Sequence, residues 1–410
     1  AGGALAALFG MMQISSNHVQ MTYYFMFVIL GFMVAYLITA VKEKKTAQWL
    51  KATGVLAVAG VLAVCANLPS LYYTYEYSKE SMRGGHSELT HAADASNTTS
   101  GLDRDYITQY SYGASETFSL LIPDIKGGAS VKPEKGDSKL LTLADEDATK
   151  ELIKKGELSA DEAQYLQYLS RYFGEPEGTN GPVYVGALIC ALFLLGCVVV
   201  RGPLKWALVV LTVLSVLLAL GRNCMWLTNL MIDYMPMYSK FRTVESILVI
   251  AEFTMPLLAV MALQQVLCTG DASEAWKQYR KPVLWSFGIV LGLCLVGIIF
   301  PQLYGSLISE NDRAMDAQFA QYLLSQGADA QLVQMFSLNN PRIYAAVESV
   351  RSGMVESDAM RSFMIVGAGF GLLLLYFFKK LNVGVVAVLT GVVVCGDLFM
   401  VNKRYLNTDS

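Results

Sequence analysis

The stretch from Gly221 to Glu252, GRNCMWLTNLMIDYMPMYSKFRTVESILVIAE, sets a short polar loop with three cations directly against a long apolar run. Arg222, Lys240 and Arg242 bracket a loop that also holds Trp226, Asp233, Tyr234 and Tyr238. Behind it, Glu245 and Glu252 follow Arg242 at spacings of three and then seven, a helical period that puts all three on one face. Glu252 then lies roughly 10 Å below the helix start. If that helix spans a bilayer, Glu252 is an intramembrane carboxylate, and such a group is a functional candidate by default. Pro256 has no N–H to offer the carbonyl of Glu252 and is expected to kink the helix there.

Composition places this stretch in a membrane. Of the 410 residues 54% are hydrophobic and 16% charged, against roughly 25% charged in soluble domains, and the mean hydropathy is +0.42. The fold class that follows is an all-α polytopic membrane protein. A net charge of −3 gives no basic footprint, which sets nucleic acid aside as a partner. The seven cysteines include Cys65, Cys190, Cys197, Cys294 and Cys395 within apolar runs, with no CxxC pair, so they read as small membrane-helix residues rather than disulfides or metal ligands.

Apolar runs at about 22–41, 52–72, 183–200, 204–220, 244–267, 283–305, 361–378 and 383–401 give eight expected spans. Ala1 to Ile14 is a further apolar run, too short to span, and reads as the tail of a longer helix. Lysines and arginines crowd every second connection, at 42–51, 201–205, 277–281 and 379–380, which marks these as cytoplasmic. The domain plan is therefore transmembrane helices over 1–72, an extracytoplasmic region over 73–182, and transmembrane helices over 183–305 with the cation loop at 221–242. An extracytoplasmic segment at 306–360, transmembrane helices over 361–401 and the start of a further extracytoplasmic part at 402–410 complete it. Within the outer regions, Ser159 to Tyr172 reads as a helix opened by Ser159, and 126–136 as a flexible loop. Residues 90–101 read as loose, and 312–326 as an amphipathic helix lying on the interface or on the protein.

Three groups carry candidate chemistry. Lys240 and Arg242, with Arg222, suit a lipid-linked phosphate, because guanidinium forks and ammonium groups make charge-assisted bonds to phosphate oxygens ahead of a helix N-terminus. The alternative is that these cations snorkel to headgroups or pair with Asp233 and Glu245. Asn17, His18, Gln20, Tyr23 and Tyr24 cluster at one helix end, where they either line a sugar chamber or anchor the helix at the interface. Glu76, Arg83 and Glu116 are substrate-contact candidates, against the alternative of salt bridges in an outer loop. His86 and His91 with Glu88 between them lack the i, i+4 zinc spacing, so no cofactor is indicated, although a divalent metal is compatible with the sequence. Asp397 either faces the bundle interior or is solvated at a helix end.

The same stretch, LGRNCMWLTNLMIDYMPMYSKFRTVESILVIAEFTMPLLA, resembles the YfhO family of bacterial membrane proteins in its Bacteroidetes-type form. Met12 to Tyr24, Tyr75 to Thr90, Tyr110 to Gly128, Gly181 to Ala187 and Asp397 to Asn407 resemble it too, so the likeness extends over nearly the whole chain. That family is similar to the GT-C superfamily of glycosyltransferases. The resemblance implies a multi-pass protein of the bacterial inner (cytoplasmic) membrane, with a GT-C-like helical bundle. It would transfer a sugar from a polyprenyl-phosphate donor to a cell-surface polymer or lipid-linked acceptor on the outer face. The partners are then a lipid-linked sugar donor, a surface glycan or lipid acceptor, and membrane lipids. On this reading Lys240, Arg242 and Arg222 hold the donor phosphate, while His18, Gln20, Tyr23, Glu76, Arg83, Glu116 and Glu252 line the chamber. GT-C enzymes usually carry the catalytic acid in their first outer loop, and here that loop is expected to precede Ala1. A transporter or flippase for a lipid-linked sugar, with Glu252 and Asp397 as coupling carboxylates, is the alternative from another class, and a non-catalytic scaffold of envelope polysaccharide assembly is a third.

The charge alternation predicts that 73–182 and 306–360 face the side opposite 42–51 and 277–281. Cysteines introduced as Ser96→Cys and Lys277→Cys should therefore react with a membrane-impermeant thiol reagent from opposite sides of intact cells. Reaction from the same side contradicts the topology.

Overall fold

The computed structural model describes residues 1–79, 81, 102–134 and 137–406, most of them helical. In chain order the helices are α1 (Gly2–Ser15), α2 (Val19–Lys42), α3 (Thr46–Ala66), α4 (Leu68–Lys79), α5 (Arg104–Thr108), α6 (Asp147–Lys155), α7 (Ala160–Tyr165) and α8 (Ala187–Val199). They continue with α9 (Pro203–Ala219), α10 (Met225–Tyr234), α11 (Val249–Leu267), α12 (Ala272–Ile299), α13 (Glu310–Ser325), α14 (Ala330–Met335), α15 (Pro341–Phe377) and α16 (Val383–Tyr405). One hairpin pairs β1 (Val131–Glu134) antiparallel with β2 (Asp137–Leu140). Hydrocarbon offers no hydrogen-bond partner to a backbone, so a chain this apolar must satisfy its peptide groups within helices. Among the described residues α2, α3, α12, α15, α16 and the segment Val244–Leu267 are long and apolar enough to cross a bilayer. The chain is an all-α, multi-pass membrane protein.

Several expected boundaries move. Residues 183–186 stay non-helical and Gly186 adopts φ +108°, so α8 starts late and has 13 residues in place of the span expected at 183–200. The 17-residue α9 gives way through a turn at Gly221–Cys224 to α10 at an angle of 114°, so the two form at most one broken or re-entrant span. α11 continues through Pro256. The division expected between 360 and 361 falls inside α15, whose 37 residues extend roughly 55 Å, well beyond a hydrocarbon layer of about 30 Å. Its polar first half starts at Pro341 in the first turn, behind an Asn340 side chain that accepts from the Arg342 N–H.

The described chain forms two compact units. In the first, Ala1–Ser111 with Val200–Met255, α1 lies along α3, and the Asn67 amide donates to the Met11 carbonyl at 3.1 Å. α2 packs along α9. In the second, Tyr112–Val199 with Pro256–Ser410, α12 and α15 run against each other and α8 packs on both. A Cβ added at Gly196 of α8 would sit 2.8 Å from the carbonyl oxygen of Leu258, so this approach tolerates no side chain unless the backbone moves.

The first half of α15 carries a core of its own. Ile343, Val347 and Val350 bury themselves against Leu143, Leu158, Tyr165, Leu166, Leu169 and Ile308. Ser159 opens α7 with a capping box to Glu162, as expected, but the α-helix stops at Tyr165 and a single 3-10 turn at Leu166–Tyr168 follows. α13 opens at Ser309, and its Phe319 packs on the core while Met315 and Tyr322 stay exposed. Of the loop expected at 126–136, Lys126 ends the buried 3-10 turn Pro123–Lys126, residues 127–130 are turn and bend, 131–134 form β1, and 135–136 lie outside the described residues.

Candidate functional site

In the first unit the cation loop is ordered by a segment distant in sequence. Residues 102–111, with α5 opened by the Asp103 side chain, lie against 221–243 at several points. The Leu102 N–H donates to the Ser239 carbonyl at 2.9 Å, and the Arg104 guanidinium bonds Asn229 and, at 2.6 Å, Asp233. The Arg222 N–H donates to Ser111 Oγ at 3.0 Å, while Leu102 and Ile107 bury against Val244. Gly221, at φ +45°, makes the crossing possible, because a Cβ there would run into Ser111 and stand 2.6 Å from Val244 Cγ2.

Arg242 is the centre of this arrangement. Its guanidinium donates to the Tyr106 hydroxyl and lies over two rings, 5.1 Å from the centroid of Tyr106 and 5.7 Å from that of Tyr110. The residue is half-buried, and among the described residues no carboxylate pairs with it. The chain around it is bent into unfavourable backbone. Met237 and Thr243 have φ +65° and +63°, and for a β-branched residue such as Thr243 that conformation costs on the order of 1–3 kcal/mol. Gln20 fastens the bend: its amide donates to the carbonyl of Arg242 at 2.6 Å and to the Tyr24 hydroxyl at 3.0 Å. Tyr23 donates to the Pro236 carbonyl at 2.8 Å and its ring meets Phe241. Burial pushes the Tyr238 hydroxyl up from the usual phenol range, and that hydroxyl has no hydrogen-bond partner among the described residues.

Gln20 and Tyr23 therefore join the Arg242 loop across more than 200 residues of sequence, and the other candidates distribute differently. Arg222 is exposed on its turn and Lys240 is half-buried at the end of the 3-10 turn Tyr238–Lys240. His18 is exposed at the start of α2, two residues before Gln20. Asp233 pairs with Arg104. Glu76, expected to line a chamber, pairs with Lys79 one turn along α4 at 2.8 Å. Glu252 is exposed on α11. Arg83, together with His86, Glu88 and the whole of 90–101, His91 included, lies outside the described residues.

In the second unit Glu116 is held by groups of the chain itself. It is buried and accepts from the N–H groups of Gly113 and Glu175, at 2.9 and 3.2 Å, and from the Tyr172 hydroxyl. It caps the 3-10 turn Ala114–Leu120, and burial raises its carboxyl above the usual range. The space beside it, bounded also by Tyr112 and Lys126, is about 10 Å³, enough for about one water and far too small for a sugar. The Lys126 ammonium donates to the Ser306 carbonyl at 3.0 Å, and burial lowers its pKa to about 8.

The same unit holds a continuous chain of buried charge. Arg171 and Arg404 bond Asp124 at 2.7 and 3.1 Å; Arg404 and Arg361 bond Asp358 at 2.7 and 2.8 Å; Arg361 also bonds Asp397. Asp397 further accepts from the Tyr184 hydroxyl at 2.7 Å and from the Ala187 N–H at 3.2 Å, which settles its position in the interior. Separately, a fully buried Arg351 forks onto Asp312 at 2.7 and 2.9 Å. Among the described residues, the arginines that are not exposed are Arg171, Arg242, Arg351, Arg361 and Arg404. All but Arg242 have a carboxylate.

Sequence reasoning missed Arg104 and Tyr106, which precede the quoted Tyr110 to Gly128 block, and all of the charge chain except Asp397. Its traces were present as Asp358 and Arg361 one turn apart at the edge of an apolar run, and as Arg404 just beyond another. Among the described residues no group of three or more His, Cys, Asp and Glu is placed to hold a metal ion. No protein-family model, curated protein or solved structure matches the chain.

Removing Arg361 leaves Asp397 without a countercharge and Asp358 with Arg404 alone, both in a buried setting. Arg361→Ala should therefore destabilise the protein by about 3–5 kcal/mol, whereas Lys79→Ala should change little. Equal unfolding midpoints for the two variants in denaturant titrations would contradict the role given to the network.

Proposed function

We propose that the first unit binds the phosphate of a lipid-linked sugar, and that the protein is a GT-C-like membrane glycosyltransferase. It takes a sugar from a polyprenyl-phosphate donor and passes it to a cell-surface polymer or lipid-linked acceptor at the outer face of a bacterial cytoplasmic membrane. The observation that carries this reading is Arg242, a half-buried guanidinium held by two tyrosines and given no carboxylate. Tyrosine contacts orient the planar fork while leaving its charge uncompensated, which is the requirement for receiving a phosphate. When the sugar departs, negative charge grows on that phosphate, and a fixed cation stabilises it without reorganisation. Arg222 and Lys240 belong to the same loop, and Gln20 and Tyr23 hold the loop in its strained shape. The resemblance to YfhO-type sequences points in the same direction.

The flippase alternative loses one of its two coupling carboxylates, because Asp397 is committed to Arg361, Tyr184 and the Ala187 N–H. A titrating coupling group has to exchange partners during a cycle. This one is locked by three.

With the protein in lipid nanodiscs, Arg242→Ala should weaken binding of a polyprenyl phosphate by about two decades, or about 3 kcal/mol. Arg242→Lys should recover part of it, since the charge returns without the fork, and Arg201→Ala should bind as wild type does. Wild-type affinity in Arg242→Ala would remove this residue from the site.

A further inference from the structure

A separate feature lies on α11. In the apolar segment Val244–Leu267, Glu252 sits eight residues past the start, roughly 13 Å into the segment at helical rise. It is exposed, and among the described residues no hydrogen bond or ion pair reaches its side chain. The titratable groups of α2 and α9, which pack against this segment in the first unit, are Tyr23, Tyr24, Tyr36, Lys42 and Lys205, and none of them bonds to Glu252. α2 meets this part of the helix through Phe25 and Phe32, whose rings pack on Phe253.

Two acceptors coincide at this depth. Besides the carboxyl group, the carbonyl of Glu252 loses its helical partner, because the residue four positions on is Pro256. The flank is apolar, and Phe253 remains 40% exposed beside the α2 rings. Lipid tails supply no donor for either acceptor, and carboxylates inside a membrane are found paired.

We propose that this stripe of α11 is a docking face for a further transmembrane helix, one that brings a basic side chain to the level of Glu252. Charge complementarity selects the occupant: an unpaired carboxyl group in an apolar segment suits a guanidinium or ammonium, while the exposed part of Phe253 packs on the partner's apolar residues. The inference is independent of how Arg242 is read.

The test uses the full chain in lipid vesicles with three synthetic polyleucine transmembrane peptides, carrying a central arginine, a central glutamine or no polar residue, with association read by energy transfer. The arginine peptide should bind the wild type most strongly, and Glu252→Leu should lose that preference while still binding the polyleucine peptide as the wild type does. Glu252→Gln, which keeps an acceptor of the same shape, should retain only part of it. Arg361→Ala is not used, because it disturbs folding, and Lys42→Ala serves as the remote control with unchanged binding. Equal binding of all three peptides to the wild type, or an arginine preference that survives Glu252→Leu, would overturn the proposal. So would association of this face with a second copy of the chain in preference to the arginine peptide.

Discussion

A guanidinium taken out of water needs an anion close by, and that requirement orders most of the polar structure in this protein. Moving an ion into a low-dielectric interior costs several kcal/mol, and only well-placed opposite charge and hydrogen bonds offset it. Arg171, Arg351, Arg361 and Arg404 each meet the requirement with carboxylates of this chain. Arg242 has in place of a carboxylate a phenol and two aromatic faces, which direct the group and leave its charge uncompensated. The difference separates four structural arginines from the one proposed to receive a ligand.

The chain of buried charge in the second unit joins two environments. α15 is too long for a bilayer, and its residues change from a polar half that buries Ile343, Val347 and Val350 to an apolar half ending at Phe377. Asp358 and Arg361 fall at the change, where they meet Asp124, itself bonded to Arg171, from the polar segments and Asp397 and Arg404 from α16. Three aspartates and three arginines sharing hydrogen bonds leave little net charge and little freedom. In the first unit the corresponding order is spent on a loop, where the Gln20 amide and the contacts of 102–111 hold Met237 and Thr243 in backbone they would not otherwise adopt.

Hydropathy alone was enough to read the membrane class, because spans must be long, apolar and helical. The capping serines at 159 and 309 sit where local chemistry requires them, and Ser159 was readable for that reason. Span length near α8 was not, since Gly186 and the extended residues before it use up part of the apolar run. Glu116 looked available because a sequence shows a carboxylate but not the N–H groups of Gly113 and Glu175 that occupy it. The partners of Arg242 were hidden for a similar reason: Tyr106 is 136 residues away, and nothing in its neighbours announces the contact. Gln20 and Tyr23 were singled out for their polar side chains at a helix end, and they do reach the loop, though what they touch is backbone.

The central claim is that Arg242 is held open for a lipid-borne phosphate. The most direct measurement is electron cryo-microscopy of the full chain in nanodiscs containing a polyprenyl phosphate. The account predicts phosphate density against the Arg242 guanidinium, with Tyr106 and Tyr110 still flanking it. Density for the phosphate elsewhere, with Arg242 paired to a carboxylate of the protein, would contradict it.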